Sequence, residues 1–354
     1  MKQKVTLADL SEKTGFSPTT ISMILSRKSG VSFSQETINL VRTAAREMGY
    51  SSPSRDRLSI FSRSSIMVIS PFLSNRYYSL VAQTLRSEAE EADYNVFVYT
   101  TRDDRFEEAK ILSAIGDSDI GGIVFTLMPR SRGLLKKLSK IAPAVAIADR
   151  ETGAPFEIID LYNFRAGELI AEYLSSLNHK HIVCISTPLR SSVCARQLRF
   201  EGLRSAWQRL VPDGSLTLFD NYPDSGSCRD NIHVERALGE ELASRALEEY
   251  GDTFTAFACL NDMLAYGVLD ALASANLNVP DDYSVCGCDN DFPSDLQGIN
   301  LTTVEHYMAH NARLAFGALR AKMRDESPAP LISKKEIRPE IIIRATTGQA
   351  RRRK

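Results

Sequence analysis

Apolar residues recur every three or four positions at the start of the chain, then gather into short continuous runs over most of the remainder. In "TGFSPTTISMILS" (14–26), Ile21, Ile24 and Leu25 fall at i, i+3 and i+4 and share one helical face. Thr19, Ser22, Met23 and Ser26 lie opposite. Ser17 is placed to cap this helix, and Pro18 takes its first position, where a missing N–H costs little. An earlier helix is expected to start at Thr6, with Asp9 in the acidic slot of a capping box and Ala8 and Leu10 as apolar positions. Gly15 closes it with a tight turn. A third helix is expected over about 34–48, with Ile38, Val41, Ala45 and Met48 on one side and Gly49 stopping it. Two short helices joined by a tight turn form a helix-turn-helix, and with a third they make a unit whose second helix fits the DNA major groove.

The stretch 51–65, "SSPSRDRLSIFSRSS", is rich in Ser and Arg and reads as a linker. Its Leu58, Ile60 and Phe61 are candidates for an apolar wedge in a minor groove or for docking on the next domain. After it the pattern becomes α/β. Strands are expected at 65–70, 95–99, 121–126 and 144–148, with helices near 76–93, 104–117 and 131–140. A second series places strands at 181–186, 216–219, 254–260 and 284–289, with helices near 164–178, 195–210, 233–250 and 262–275. Such alternation builds parallel sheets wrapped by helices, with ligands at the carboxyl ends of the strands. Two series imply two similar lobes and a cleft. No glycine-rich phosphate loop follows any strand.

Charge sharpens this picture. The net charge of −1 conceals ten basic and five acidic residues in 1–65, a head of +5 on a body of −6. That asymmetry points to a polyanionic partner for the head alone. No apolar run approaches 18 residues and no signal-peptide pattern opens the chain, so the expected location is the cytoplasm. Four of the six cysteines, Cys184, Cys259, Cys286 and Cys288, lie in apolar strand-like runs, as reduced thiols do; Cys194 and Cys228 do not. The pair Cys286 and Cys288 has no companion cluster and is a weak metal signal. No cofactor or metal is expected.

Several blocks in one register resemble the lactose-repressor family of bacterial transcription regulators. "VTLADLSEKTGFSPTTISMIL" resembles the family's DNA-binding start, and "AAREMGY" (44–50) the end of its third helix. "SNRYYSLVAQTLRSEAEEADYNV" (74–96), "LYNFRAGELIAEYL" (161–174), "RFEGLRSAW" (199–207), "CLNDMLAYGVLDAL" (259–272), "VPDDYSVCGCDN" (279–290) and "LTTV" (301–304) are similar to its sensor motifs in order and spacing. The resemblance implies a head over 1–50, a hinge over 51–65, a two-lobed periplasmic-binding-protein-like sensor over 66–350 and a basic tail over 351–354. The first lobe would take about 66–160 and 293–326, the second 161–292 and 327–350. It also implies a homodimer bound to a palindromic double-stranded operator and tuned by a sugar-like effector.

The implied DNA-facing set is Lys4, Thr6, Ser17, Pro18, Thr19, Thr20, Ser22, Met23, Arg27, Lys28, Arg57, Leu58 and Ile60. By the same resemblance Arg199 grips ligand hydroxyls or carboxylates, and Asn261 and Asp289 complete the core of the pocket. Asn75, Tyr77, Tyr78, Asp149 and Arg150 sit at strand ends and join the candidate set. Arg76 stands where many members have proline, which puts a charge near the cleft rim and favours an anionic ligand. Enzyme chemistry has little support: there is no nucleophile elbow, no His-Glu-x-x-His pattern, and five histidines, of which His306 and His310 have helical i, i+4 spacing. The alternative to a DNA-reading regulator is a small-molecule sensor that no longer reads DNA.

Overall fold

The structure is a computed structural model, and it describes residues 5–26, 33–48, 50, 61–116, 118–139, 141–149, 154–189, 195–220, 234–324 and 338–351. Contacts divide the chain into two units, Met1–Ser62 and Arg63–Lys354.

The first unit contains α1 (Leu7–Thr14), α2 (Pro18–Ser26) and α3 (Gln35–Met48). Each start is capped by a hydroxyl. Thr6 Oγ1 accepts the Asp9 N–H, while the Asp9 carboxylate accepts the Thr6 N–H at 2.6 Å, which holds that carboxyl below its ordinary range. Ser17 and Ser34 accept the N–H groups of Thr20 and Thr37, both at 3.1 Å. Gly15 takes φ +74°, a left-handed turn that returns its N–H to the Ser11 carbonyl. Leu10, Ile21, Ile24, Val41, Ala44 and Ala45 form the small core. Ala8, expected inside, is exposed; Leu7 packs against the core instead.

The second unit holds two parallel sheets. The first has the order β2-β1-β3-β4-β5, from β1 (Ser65–Ser70), β2 (Asn95–Thr100), β3 (Gly122–Phe125), β4 (Ala144–Ala148) and β5 (Glu157–Asp160). Its helices are α4 (Arg76–Glu90), α5 (Arg105–Gly116) and α6 (Arg132–Leu138). The second sheet has the order β7-β6-β8-β9, from β6 (His181–Ile185), β7 (Ser215–Phe219), β8 (Ala256–Cys259) and β9 (Ser284–Cys286). It is wrapped by α7 (Asn163–Ser176), α8 (Ala195–Leu210), α9 (Val234–Tyr250) and α10 (Asp262–Ser274). Central strands such as β1, β4 and β8 are buried along their whole length, because helices cover both faces. In each sheet the chain order reverses beside the first strand, between β1 and β3 and between β6 and β8. Ligands of open α/β sheets bind at such switch points.

Two described crossings join the lobes. The chain leaves β5 through Tyr162 into α7, and leaves β10 (Thr303–Glu305) through Tyr307 into α11 (Met308–Met323), which packs on the first lobe. Both tyrosines adopt left-handed φ, +52° and +54°. The sequence reading returned the chain to the first lobe near 293, and the structure moves that point. Leu301 lies in the second-lobe core, and β10 pairs with β11 (Glu340–Ile342), so the return begins at α11. His306 therefore precedes α11 and is buried, so it shares no helical face with His310.

Reciprocal glycines bring the second lobe's helices together. A Cβ on Gly167 of α7 would stand 1.8 Å from the Arg199 carbonyl oxygen, and one on Gly202 of α8 1.9 Å from that of Phe164. Gly239 and Gly267 do the same for α9 and α10.

His179 pins the C-terminal segment to this lobe. Its ring nitrogens contact Thr255 Oγ1 at 2.7 Å, Ser284 Oγ at 3.1 Å and the Gly348 carbonyl at 3.2 Å. Burial lowers its pKa to about 4, so the fold holds a neutral imidazole. A folded pKa below the unfolded one gives stability that is present above about pH 6.5 and lost as pH falls toward 4. The gap corresponds to roughly 3 kcal/mol. Between pH 7 and pH 4 the native protein is expected to lose about that much more unfolding free energy than His179→Gln. Urea titrations at both pH values measure it; equal losses would mean that the folded protein accepts a charged imidazole.

Candidate effector site

On the first unit, Thr19 and Ser22 of α2 are exposed, while Thr20 and Met23 are half-buried. The sequence reading had Met23 on the outer face with Thr19 and Ser22; it is less open than they are. Thr6 and Ser17 face solvent but serve as caps, Thr6 also donating its hydroxyl to Asp9 at 2.8 Å. Pro18 is exposed. Lys4, Arg27, Lys28, Arg57, Leu58 and Ile60 lie outside the described residues, as do Gly49 and Arg150.

In the second unit, the loop after β1 delivers Asn75, Tyr77 and Tyr78 to the first lobe's switch point. Asn75 caps α4 by accepting the Tyr77 N–H at 2.9 Å. The loops after β6, β8 and β9 deliver Arg196 and Arg199, Asn261 and Asp289. Arg199 is 5% exposed and tightly held: Nε donates to Asn163 Oδ1 at 2.7 Å, Nη1 to the Leu260 carbonyl at 2.7 Å, and Nη1 lies 2.9 Å from Asp289 Oδ1. Burial works against the guanidinium charge, but Asp289 outweighs it, so Arg199 stays cationic. Burial raises the Asp289 carboxyl to about 6 against the pull of Arg199.

Asp289 Oδ1 is held by Arg199, whose Nη1 carries two protons and so can serve the Leu260 carbonyl and the carboxylate together. Among the described residues, the buried Tyr77 Oη lacks a hydrogen bond. Burial raises the Tyr77 hydroxyl well above its ordinary range, Tyr78 adds to this, and the charges of Arg199, Asp289 and Asp149 also act on it. Asp289 takes φ +127°, a strained conformation for a non-glycine residue and of a kind that clusters at ligand sites.

The other expected residues stand around this centre. Both Asp149 oxygens accept from Asn163, its N–H at 2.9 Å and Nδ2 at 2.7 Å, so Asp149 acts on Arg199 through Asn163. Asn261 caps α10 through Leu264 N–H and donates to Glu235 at 2.6 Å. Glu235 also binds Arg196, which donates to Thr187 Oγ1 at 2.9 Å, and lies 3.5 Å from Asn75 Nδ2 across the cleft. Burial raises Tyr78 to about 12, while the charges of Arg196 and Glu235 pull in opposite directions. The sequence reading did not single out Asn163, Arg196 or Glu235. Arg76, expected to favour an anionic ligand, spends its charge on Asp291 at the rim.

Cys288, Asp289 and His306 place ligand-type atoms within 4.8 Å of one another. Cys288 Sγ and His306 Nε2 are 3.2 Å apart, a direct hydrogen bond. Two such ligands around tetrahedral zinc would stand about 3.5 Å apart. Arg199 already occupies the carboxylate, so the cluster is poorly built for a cation.

Residues 171–347 match the family described as periplasmic binding protein-like domain. The HTH-type transcriptional regulator DegA of Bacillus subtilis (strain 168) is 26% identical over 357 residues, spanning 98% of this chain and 98% of that protein. A LacI family transcriptional regulator from Enterococcus faecium, solved with bound ribose, superposes with TM-score 0.65 at 19% identity, covering 81% of this chain and 100% of that one. The lac repressor dimer bound to operator and the anti-inducer ONPF gives TM-score 0.66 at 20% identity, over 98% and 100% of the two chains. At these identities the structural likeness establishes the fold. Among the described residues, no helix is long and apolar enough to cross a membrane.

Proposed function

This chain belongs to the periplasmic-binding-protein-like family, in the company of full-length relatives that regulate transcription, and on that premise we propose that it is a DNA-binding repressor controlled by a small hydroxyl-bearing effector. The observation that carries the effector reading is the buried Arg199–Asp289 pair at the strand ends, with the buried Tyr77 hydroxyl that has no hydrogen bond. Fixed donors and acceptors of this kind are costly to leave unpaired and match the adjacent hydroxyls of a sugar or sugar derivative. The ribose held by the Enterococcus faecium regulator agrees with that class. Binding between the lobes favours their closure, and the difference in closure changes operator affinity.

The acting species is a homodimer, which places two basic N-terminal segments, +5 each over residues 1–65, on a pseudo-palindromic duplex; the lac repressor was likewise solved as a dimer bound to operator. Lys4, Arg27 and Lys28 supply phosphate contacts and most of the affinity. The outer face of α2 carries no Arg or Gln, so bidentate reading of guanine or adenine is largely closed to it. Thr19 and Ser22 offer hydroxyls, and Met23 offers apolar contact to a thymine methyl. Selection from a random duplex pool is expected to return a near-palindrome with a thymine opposite Met23. For about six neutralised phosphates, affinity should fall roughly a thousandfold from 50 to 200 mM salt. Met23→Ala is expected to relax preference at that thymine with stability unchanged. Unchanged base preference with a lower Tm would make Met23 a packing residue.

A further inference from the structure

Two three-residue segments face each other across the cleft. Arg76, Tyr77 and Tyr78 open α4 in the first lobe; Asp289, Asn290 and Asp291 follow β9 in the second. Tyr77 supplies a buried hydroxyl without a hydrogen bond, and Asp289 the carboxylate that pairs with Arg199. Their near neighbours Arg76 and Asp291 meet at the rim: Arg76 Nε bonds Asp291 Oδ1, and the guanidinium sits 5.2 Å from the centre of the Phe292 ring. The ends of this contact differ in character. Arg76 is half-exposed, whereas Asp291 is 8% exposed and fixed from behind. Its N–H donates to Asp262 Oδ2 at 2.8 Å, and Asp262 Oδ1 accepts Thr303 Oγ1 at 2.5 Å, which ties the acidic end to β10 and the crossing at Tyr307. Asp291 also accepts the Phe292 N–H at 2.8 Å, which helps fix the turn that carries the ring. Phe292 is 57% exposed, a large apolar surface whose contact on the opposite lobe is Arg76.

We propose that Arg76, Asp291 and Phe292 form a latch across the rim of the effector cleft that biases the lobes toward closure. Arg76 is a positioning residue: it touches the opposite lobe and leaves ligand contact to Tyr77. Because latch and pocket residues share two short segments, opening the latch withdraws Tyr77 from Asp289, and a ligand that bridges them reinforces the latch. The designation of the cleft as the effector site rests on the function proposed above; the latch itself does not.

The test therefore starts without ligand. Spin labels at Lys110→Cys in the first lobe and Glu248→Cys in the second, both exposed positions, report lobe separation by pulsed electron resonance in the full-length protein. Labelling of the parent without these two cysteines fixes the background. Relative to the latched protein, Arg76→Ala is expected to raise the open-to-closed ratio about fivefold, as for an exposed ion pair with a ring contact. Arg76→Lys should fall between the two, and Phe292→Ala should have a smaller effect alone and little further effect once Arg76 is gone. Raising salt should open the native protein and leave Arg76→Ala nearly unmoved. Distance distributions that are the same for native protein and Arg76→Ala, with both folded by circular dichroism, would overturn the latch. A shift in these distributions with no response to D-ribose or a panel of pentoses and hexoses would uphold the latch and count against the sugar reading instead.

Discussion

Arg199→Ala is expected to lose the effector response while the protein still binds its operator. Arg199 is the buried cation on which Asn163, Leu260 and Asp289 converge, and its removal strips the pocket of its fixed donors. A charged hydrogen bond contributes about 1.5–3 kcal/mol, so effector affinity should fall by roughly one to two orders of magnitude. Removing one partner of a buried pair also costs roughly 3–5 kcal/mol of stability. Part of that cost is relieved because Asp289, already raised to about 6 by burial, takes up a proton once its partner is gone. Arg199→Lys keeps a cation but not the planar fork, and should retain stability better than it retains affinity. Calorimetric titration with the effector found by thermal-shift screening measures the loss, and a normal response in Arg199→Ala would remove this residue from the site.

Gly202→Ala is expected to be among the most damaging single-methyl changes in the second lobe, with Gly167→Ala beside it. The added Cβ would stand 1.9 Å from the Phe164 carbonyl oxygen, and backbone cannot swing aside as a side chain can. The two helices would have to separate, which exceeds the usual overpacking cost of about 1–3 kcal/mol. A fall in Tm on the order of 10 °C follows for a unit of this size. Because α8 also carries Arg199, effector affinity should fall with it. Gly133→Ala, where nothing lies within 4 Å, is the matched control and should leave both unchanged. Equal Tm values for the two variants would show that α7 and α8 have room to part.

Periodicity exposed most of the body because parallel strands buried on both faces read as unbroken apolar runs, as in "SIMVIS" and "AVAIA". The strands that escaped notice are short and carry charge: β5 is "EIID", β10 "TVE" and β11 "EII". Missing β10 and β11 misplaced the second crossing. The head was legible through its caps, since Thr6, Ser17 and Gly15 act locally. At the site, Arg199 and Asp289 were singled out by resemblance and Tyr77 by its place after the first strand; the structure pairs Arg199 with Asp289 and buries Tyr77. Asn163, Arg196 and Glu235 were not, because their partners are distant in sequence: Arg199 lies 36 residues from Asn163, and Glu235 39 from Arg196. Arg76 was expected to favour an anionic ligand, because no spacing rule links it to its partner Asp291.

Occupancy of the site around Arg199 is expected to control DNA binding by the head. Fluorescence anisotropy of a duplex recovered by random-site selection, titrated with full-length protein with and without a saturating effector from the sugar panel, tests it most directly. Tight, salt-sensitive binding is expected, with an affinity that changes at least tenfold with effector in the native protein and not at all in Arg199→Ala. Binding that is unaffected by a ligand shown by calorimetry to occupy the native protein, or an effector response that survives in Arg199→Ala, would contradict it.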